Sequence, residues 1–569
     1  MTKLPRGADA VPGSSRAYHT GTWRDQRPVH VHPPAPCHGA CPAGEDPQAY
    51  LALMQEGRTQ EAWKVLAAVN PLPAVTGRVC PHPCEGSCNR SALDEPIAIH
   101  AIERFLGDEA IRQGWSLPIT ADMSRSERVA IIGAGPAGMS AAYHLRSRGH
   151  SVTVFDREAQ PGGLLRSAIP PYRLPRDVLD AEVARLLGTG IAFEPHRALG
   201  QDVHLDDLRR EFAAVFLAPG CHAPRPWTVE GAANCDAPSG LHLIREWLDI
   251  GSLPVFGKSV VVHGGGNTAM DAARILRWSG ASDVHVIAAS ALPGESEVQP
   301  KERMAAFPRE IAQAREEGVV VHPHHTLTRV IVRNGAVVGV EVAAVAKLRD
   351  TDEKTHRVSF EGTERIIDAD LVVPAIGEIV APEGFERLLR GNPFLSADGW
   401  GSIRGEVGLF AGGDALGTRG TVSASIGDGR RAAEAIDHFL RKTDTPADGI
   451  APSIGPESLN LHYFDRAARR DGAIAAVADR RPDREIEQTL PDDMARSEAE
   501  RCLSCGNCLA CDNCWTFCPD SAVLKIREIA SDGSHYVFDY DYCKGCGLCA
   551  HECPTGFIAM VEEVGDLSR

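Results

Sequence analysis

Residues Arg128 to Asp156 read RVAIIGAGPAGMSAAYHLRSRGHSVTVFD, and this stretch decides the fold. An apolar strand, Val129 to Ile132, runs into Gly133, Gly135 and Gly138 and then into an alanine-rich helix. A second strand, Ser151 to Phe155, ends in Asp156. Gly133 permits the tight turn, Gly135 lets a pyrophosphate approach the backbone, and Gly138 lets helix and strand pack closely. The phosphates then meet a helix N-terminus, where unpaired N–H groups and the helix dipole favour negative charge. Asp156 is placed to accept from a ribose hydroxyl. Strand, turn, helix, strand and acid in this order predict a dinucleotide site.

The theme recurs. Ser259 to Ser290 reads SVVVHGGGNTAMDAARILRWSGASDVHVIAAS, with Gly264, Gly266 and Ala269 between strand and helix and Asn267 at the helix opening. His263, alone at the strand end, reads as packed rather than catalytic. In the head of the chain, Asp46-Pro47 opens a helix that Gly57 stops, and Thr59 starts another that Asn70-Pro71 ends. Lys442 to Pro456 is rich in Thr, Asp, Pro and Gly and reads as a linker.

Pro161-Gly162-Gly163-Leu164 follows the first unit, and Gly408 to Asp414 reads GLFAGGD much later. Both segments resemble the flavoprotein disulfide-reductase superfamily with its two dinucleotide domains. Within it, GGLLRSAIPPYRLP, Gly162 to Pro175, is similar to the glutamate synthase small-subunit family, a likeness that runs from about Cys37 to about Ala435. The resemblance implies FAD in the first unit and a nicotinamide nucleotide in the second, which is inserted between the halves of the first. It implies that Gly162, Gly163, Leu164, Arg173 and Gly413 belong to the FAD site, that Asp414 contacts the ribityl chain, and that Thr421 and Val422 face the flavin pyrimidine edge. Gly427-Asp428-Gly429 looks like a thiamine-diphosphate motif but falls inside that last helix and is discounted. Relatives that use NADP carry arginines after the strand Val284 to Ile287, to hold the 2′-phosphate. Here Ala288-Ala289-Ser290 stands instead, with no acidic residue in its place, so NAD(H) is the reading and NADP(H) the alternative. Glu302 to Gly318 resembles the family's next helix, with Phe307-Pro308 as a departure.

Fifteen of the seventeen cysteines lie in two terminal groups, and only Cys221 and Cys235 stand alone. Cys508, Cys511, Cys514 and Cys518-Pro519 form C-x-x-C-x-x-C-x-x-x-C-P, and Cys543, Cys546, Cys549 and Cys553-Pro554 repeat it. This is the two-cluster ferredoxin pattern, in which three cysteines bind one cluster and the fourth crosses to the other. Cys508, Cys511, Cys514 and Cys553 then hold one [4Fe–4S] cluster and Cys543, Cys546, Cys549 and Cys518 its partner. Zinc, the competing reading, favours paired C-x-x-C knuckles. Phe538 to Pro554 resembles the ferredoxin-type subunit of 2-oxoacid:acceptor oxidoreductases.

The head carries Cys37, Cys41, Cys80, Cys84 and Cys88. Its PLPAVTGRVC and CEGSC resemble the glutamate synthase small-subunit head, which holds two clusters and has a further C-x-x-C upstream. That pair is missing here, while Cys502-Leu503-Ser504-Cys505 stands just before the ferredoxin run. By resemblance, one cluster takes Cys41, Cys80, Cys84 and Glu103, and a second Cys37, Cys88, Cys502 and Cys505. Fifteen cysteines and one glutamate then suffice for four clusters. The bland alternative leaves Glu103 a helix-surface acid and Cys502 and Cys505 spare.

The expected fold class is α/β: two Rossmann-like dinucleotide-binding domains of flavoprotein disulfide-reductase type, a helical iron–sulfur head and a C-terminal bacterial-ferredoxin α+β domain. The domain reading is a head at 1–122, an FAD domain at 123–250 and 362–440, an NAD(P) domain at 251–361, a linker at 441–500 and a ferredoxin domain at 501–569. A net charge of −17 in 569 residues argues against a nucleic-acid partner. No run of 18 apolar residues offers a membrane span. Met1 to Thr20 is polar without an apolar core, so no secretory signal is read and a cytoplasmic address is expected. No nucleophile, triad or acid–base pair emerges, so no catalytic residue is assigned. A flavin converts hydride chemistry to one-electron transfer. The chain thus reads as an FAD-dependent NAD(P)H oxidoreductase, the NAD-handling subunit of a 2-oxoacid oxidoreductase whose thiamine-dependent partner does the carbon chemistry. The alternatives are a glutamate synthase small subunit, a stand-alone ferredoxin reductase and, most blandly, a zinc-stabilised assembly protein.

Overall fold

A computed structural model describes residues 19–119, 127–253, 259–296, 298–349, 355–417, 420–444 and 452–563. Most of the polar start, and 445–451 of the linker, lie outside them. The first unit is a five-stranded parallel sheet ordered Leu409–Ala411, Ala214–Leu217, Arg128–Ile132, Ser151–Phe155, Ala192–Glu194. Its first edge strand arrives only after the second unit, so the first unit is discontinuous in sequence. The second unit is parallel too, in the order Leu371–Pro374, Ser259–His263, Asp283–Ile287, Val320–His322. All-parallel strands need both faces covered, and Val260, Val261 and Val262 are fully buried. A short ladder, Ala223–Pro224 against Glu378–Ile379, lies where the chain leaves and re-enters the first unit.

Local chemistry sets the helix ends. The Asp46 side chain accepts from Ala49 N at 3.2 Å and caps Pro47–Gln55. The helix resembling Glu302 to Gly318 begins later, at Pro308, because proline at a first helical position loses no needed N–H. In the head, Pro73–Val79 and Ile99–Gln113 touch at two glycines: a Cβ on Gly77 would lie 2.4 Å from Arg104 N, and one on Gly107 2.3 Å from Ala74 N.

The two ends of the chain are knitted together. Gln26–His30 runs antiparallel to Ile558–Glu562, Arg24 pairs with Glu563 at 2.8 Å, and Gly21 N donates to Asp541 O at 2.9 Å. The first described strand therefore lies against the tail, although it falls within the stretch read as the head. The stretch 472–490, inside the expected linker, is a docked strap. Ile486 N donates to Tyr172 O at 3.2 Å, Arg480 pairs with Glu316 and Glu317 at 2.6 and 3.0 Å, and Glu485 pairs with Arg78 and Arg104 at 2.7 and 3.0 Å.

His100 closes the strap onto the head, meeting Glu85 through Nδ1 at 2.7 Å and Glu487 through Nε2 at 3.2 Å. Burial opposes charging the ring, but the two carboxylates overrule it and hold its pKa up at about 9. A pKa raised on folding adds stability that is complete below the unfolded value near 6.5 and disappears as pH rises through about 9. We expect thermal stability to fall by on the order of 3 kcal/mol across that window. His100→Gln should flatten the fall, as read by melting temperature from pH 6 to 10; an unchanged slope would show that the contact contributes nothing.

Candidate redox centre

A cavity of about 590 Å³ opens at the carboxyl ends of the first sheet, lined among others by Gly133, Gly135, Asp156, Gly163, Leu164, Gly413 and Asp414. Gly133 has φ +100°, and a Cβ there would sit 2.2 Å from Ala218 O. Gly138 lies beneath the turn, where a Cβ would come within 1.8 Å of Gly133 O. Gly135 has nothing within 4 Å of its Cβ position, which leaves room for a pyrophosphate. The Asp156 carboxylate accepts from Ala134 N at 2.6 Å and Glu158 N at 2.8 Å, which orients it at the cavity wall. Burial raises the pKa values of Asp156 and Asp414. These residues fit FAD.

Gly162, Arg173, Thr421 and Val422 do not line the cavity. Gly162 N donates to Ala134 O at 2.9 Å and so holds its loop against the glycine turn. Arg173 is spent elsewhere, on Asp271 at 2.7 Å and Glu310 at 3.2 Å of the second unit. Thr421 caps the helix Val422–Arg441, accepting from Ala424 N at 3.3 Å. Asp428, from the discounted thiamine-like triplet, accepts from Gly413 N at 3.0 Å and has a structural role.

In the second unit Gly264 has φ +153°, with a Cβ position 2.1 Å from Ala375 O, while Gly266 faces open space. Ala269 is fully buried. Asn267 Oδ1 accepts from Phe307 N at 3.0 Å, tying the departing Phe307-Pro308 pair to the glycine turn. His263 accepts from Trp227 Nε1 at 3.1 Å, and burial lowers its pKa to about 4, as a packed histidine requires. A cleft of about 470 Å³ lined by Arg225, Trp227, Arg245 and Glu378 adjoins the flavin cavity, and His222 lines both. Ala288 packs on Gly265. Beyond it a loop returns, so that Ala291 pairs with Arg303. The loop supplies an acidic residue that the strand end lacks: Glu295, which bonds His324 at 2.8 Å. Arg303 donates to the Glu295 carbonyl at 3.2 Å.

The cysteines converge in four sets. Cys508, Cys511, Cys514 and Cys553 line one small cavity of the tail, and Cys518, Cys543, Cys546 and Cys549 line another. In the head, burial raises the Cys37 thiol most, and the nearby thiols of Cys502, Cys88 and Cys505 raise it further. Cys41, Cys80 and Cys84 share a chamber with Glu103, and burial pushes Cys80 up to about 12. Glu45, which sequence reasoning passed over, stands in the same chamber. Two buried carboxylates beside the buried thiols of Cys80 and Cys84 and the half-buried thiol of Cys41, with no ion-pair partner among the described residues, suit a cation. Zinc, at about 2.3 Å from each sulfur, would draw four thiolates to within roughly 4 Å of one another. None of the cysteine sets closes even to 4.8 Å; among the described residues only His82, Glu85 and His100 do. The wider spacing fits clusters.

Cys80 Sγ lies 3.2 Å from Ser423 Oγ, on the helix whose Ser425 lines the flavin cavity. The head chamber and the cavity are thus joined through one helix N-terminus.

A family model described as pyridine nucleotide-disulphide oxidoreductase matches residues 127–429. One described as dihydropyrimidine dehydrogenase domain II, 4Fe-4S cluster, matches 26–115, and a 4Fe-4S dicluster domain matches 507–557. The chain is 34% identical to the NADP(+)-dependent formate dehydrogenase subunit beta of Moorella thermoacetica, over 83% of this chain and 70% of that one. It is 32% identical to the NADPH-Fe(3+) oxidoreductase subunit beta of Geobacter sulfurreducens, over 86% and 78%. It is also 32% identical to the glutamate synthase [NADPH] small chain of Azospirillum brasilense, over 72% and 87%.

Gly138→Ala should abolish flavin retention, because its methyl cannot coexist with Gly133 O. Absorbance near 450 nm of the purified variant against its protein content checks this; a full flavin complement would mean that the turn is not the dinucleotide cradle.

Proposed function

The chain belongs to the pyridine nucleotide-disulphide oxidoreductase family, and on that premise we propose that it is the electron-transfer subunit of a multi-subunit enzyme, exchanging electrons between NAD(H) and four [4Fe–4S] clusters. FAD in the first-unit cavity supplies the conversion between hydride transfer and single electrons. The observation that carries the reading is the bond between Cys80 and Ser423, which puts the first thiol set against the helix of the flavin cavity. From there the sets follow one another in short covalent steps. Cys37 to Cys41 and Cys84 to Cys88 link the two head sets, Cys505 to Cys508 links head to tail, and Cys514 to Cys518 links the tail sets. Four residues span at most roughly 14 Å, so no step between neighbouring sets is long.

The chain's own residues bind and orient. Asp156 and the Gly133–Gly138 turn hold the adenosine half of the flavin nucleotide. The cleft that shares His222 with that cavity admits the nicotinamide. On this reading Glu295 is the acid that receives the adenosine ribose; its carboxylate is kept ionised, chiefly by the His324 hydrogen bond, which would favour a 2′-hydroxyl over a 2′-phosphate. The carbon chemistry belongs to a partner. The tail's likeness to 2-oxoacid oxidoreductase subunits supports a thiamine-dependent one, and the identity with a formate dehydrogenase beta subunit supports a second reading. Co-purification from the native host, with 2-oxoacid and formate oxidation assayed on the complex, decides between them.

Two outcomes are expected. NADH should reduce the flavin at least tenfold faster than NADPH in stopped flow, and arginines at Ala288 and Ala289 should narrow the gap; equal rates in the unaltered protein would refute the choice. The protein should carry about sixteen irons per chain. Replacing Cys502 and Cys505 by serine should remove about four of them while both tail signals persist in electron paramagnetic resonance (EPR) spectra. Loss of a tail signal instead would assign the pair to the tail.

A further inference from the structure

The head chamber holds one donor more than a four-iron cluster takes. Cys41, Cys80 and Cys84 supply three thiols, and Glu103 is the fourth ligand under the proposed ligation of this chamber, on which any role for a further donor rests. Glu45 is a fifth. It stands four residues past Cys41, and Gly44, at φ +78°, turns the chain between them. Gly44 N donates back to Cys41 O at 3.0 Å, which brings Glu45 to the same side as the sulfur. A side chain at Gly44 would strike the Arg430 guanidinium at 2.4 Å, so the turn is built for glycine.

One amide tethers the two carboxylates. Asn70 Nδ2 donates to Glu45 Oε1 at 2.8 Å and to Glu103 Oε1 at 2.9 Å, and Thr76 Oγ1 donates to Glu103 as well. Asn70 is wholly buried, and its own Oδ1 accepts from Leu72 N at 3.0 Å, which fixes its orientation. The fully buried Tyr50 hydroxyl has no partner at full hydrogen-bond geometry but lies close enough to Glu45 to favour its ionised form, as Asn70 does. Both carboxylates raise the thiols of Cys41 and Cys80, Glu45 bearing more strongly on Cys41 and Glu103 on Cys80. Burial pushes the Glu45 carboxyl up to about 7 despite its contacts with Asn70, Glu103 and Tyr50, and no cation among the described residues pairs with it.

We propose that Glu45 and Glu103 are interchangeable ligands to the one iron of this cluster that no cysteine holds. In the exchange an iron–oxygen bond to Glu103 breaks as one to Glu45 forms, and no electron or proton is transferred. Asn70 donates to whichever carboxylate is released, so neither is left bare in the interior. The cluster thereby keeps four protein ligands through a change of one.

The test uses the full chain with Glu45→Ala, Glu103→Ala and the double variant, each also made with Leu to fill the space, and with flavin content as the check on folding. Iron per chain and EPR spectra of the oxidised and reduced proteins are the readouts. Each single variant should keep the wild-type iron count while shifting the g-values of one reduced cluster. The double variant should lose one iron per chain and show the oxidised signal of a three-iron cluster. A three-iron signal at full intensity in Glu103→Ala alone would overturn the proposal, and so would a double variant indistinguishable from Glu103→Ala. Cys80→Ser separates the two levels of the claim: if it removes no iron, the ligation of this chamber fails, whatever the glutamate variants show.

Discussion

The second head set, Cys37, Cys88, Cys502 and Cys505, draws its thiols from opposite ends of the chain, and the remaining architecture follows from closing it. Loop closure across such a separation costs entropy that grows only slowly with length, but the ends must be held once they meet. Arg501 does much of this, bonding Glu498 at 2.6 Å, Asp94 at 3.0 Å and the Glu95 carbonyl at 2.7 Å from a buried position. Gln48 and Gln55 donate to the Cys505 and Ala499 carbonyls, each at 2.8 Å. The Glu498 carboxylate accepts from Ala98 N, just before the helix Ile99–Gln113, and from Arg470 N. With Gln26–His30 paired to Ile558–Glu562, the tail becomes a fixed part of the body, which a series of one-electron centres requires.

The dinucleotide units and the tail were legible in sequence because their chemistry is local. A glycine whose Cβ would strike a carbonyl, or a cysteine at a fixed offset from three others, declares itself within a few residues. Thus the strand Ser151–Phe155 and the crossed tail sets could be read directly. The placement of Cys502 and Cys505 beside Cys37 and Cys88 was accessible only through a ligand count and a resemblance. Arg173 sits inside the most specific stretch of the chain, and its ion pairs with Asp271 and Glu310 of the second unit could not be read from that motif. Glu45 was invisible because its meaning comes from Asn70, Thr76 and Glu103, which lie 25 or more residues away in sequence.

The strap was equally hidden. Its composition is that of a linker, and its alternating Arg, Asp and Glu residues read as solvated charge. Their partners stand on the head and the second unit, most of them buried or half-buried, and no periodicity signals a segment that docks by discrete ion pairs. Removing one partner of a buried pair leaves an uncompensated charge, at about 3–5 kcal/mol. Such contacts therefore fix where the strap lies more than they add to net stability.

That fixation bears on how the nucleotide unit meets the flavin. Tyr172 and Arg173 of the first unit hold Asp271, and Arg173 also holds Glu310. Arg274, fully buried, pairs with Glu310 and Glu317 of its own unit, and Glu317 in turn holds Arg480 of the strap. These pairs tie the second unit to the first at a place other than the short Ala223–Pro224 ladder. A large swing about that ladder would strand several of these charges at once. The strap that supplies Arg480 continues through Glu485 and Glu487 on the head to Cys502, so one run of chain contacts the nucleotide unit, the head and the second thiol set. One series of ion pairs thus ties the second unit, the strap and the head to one another.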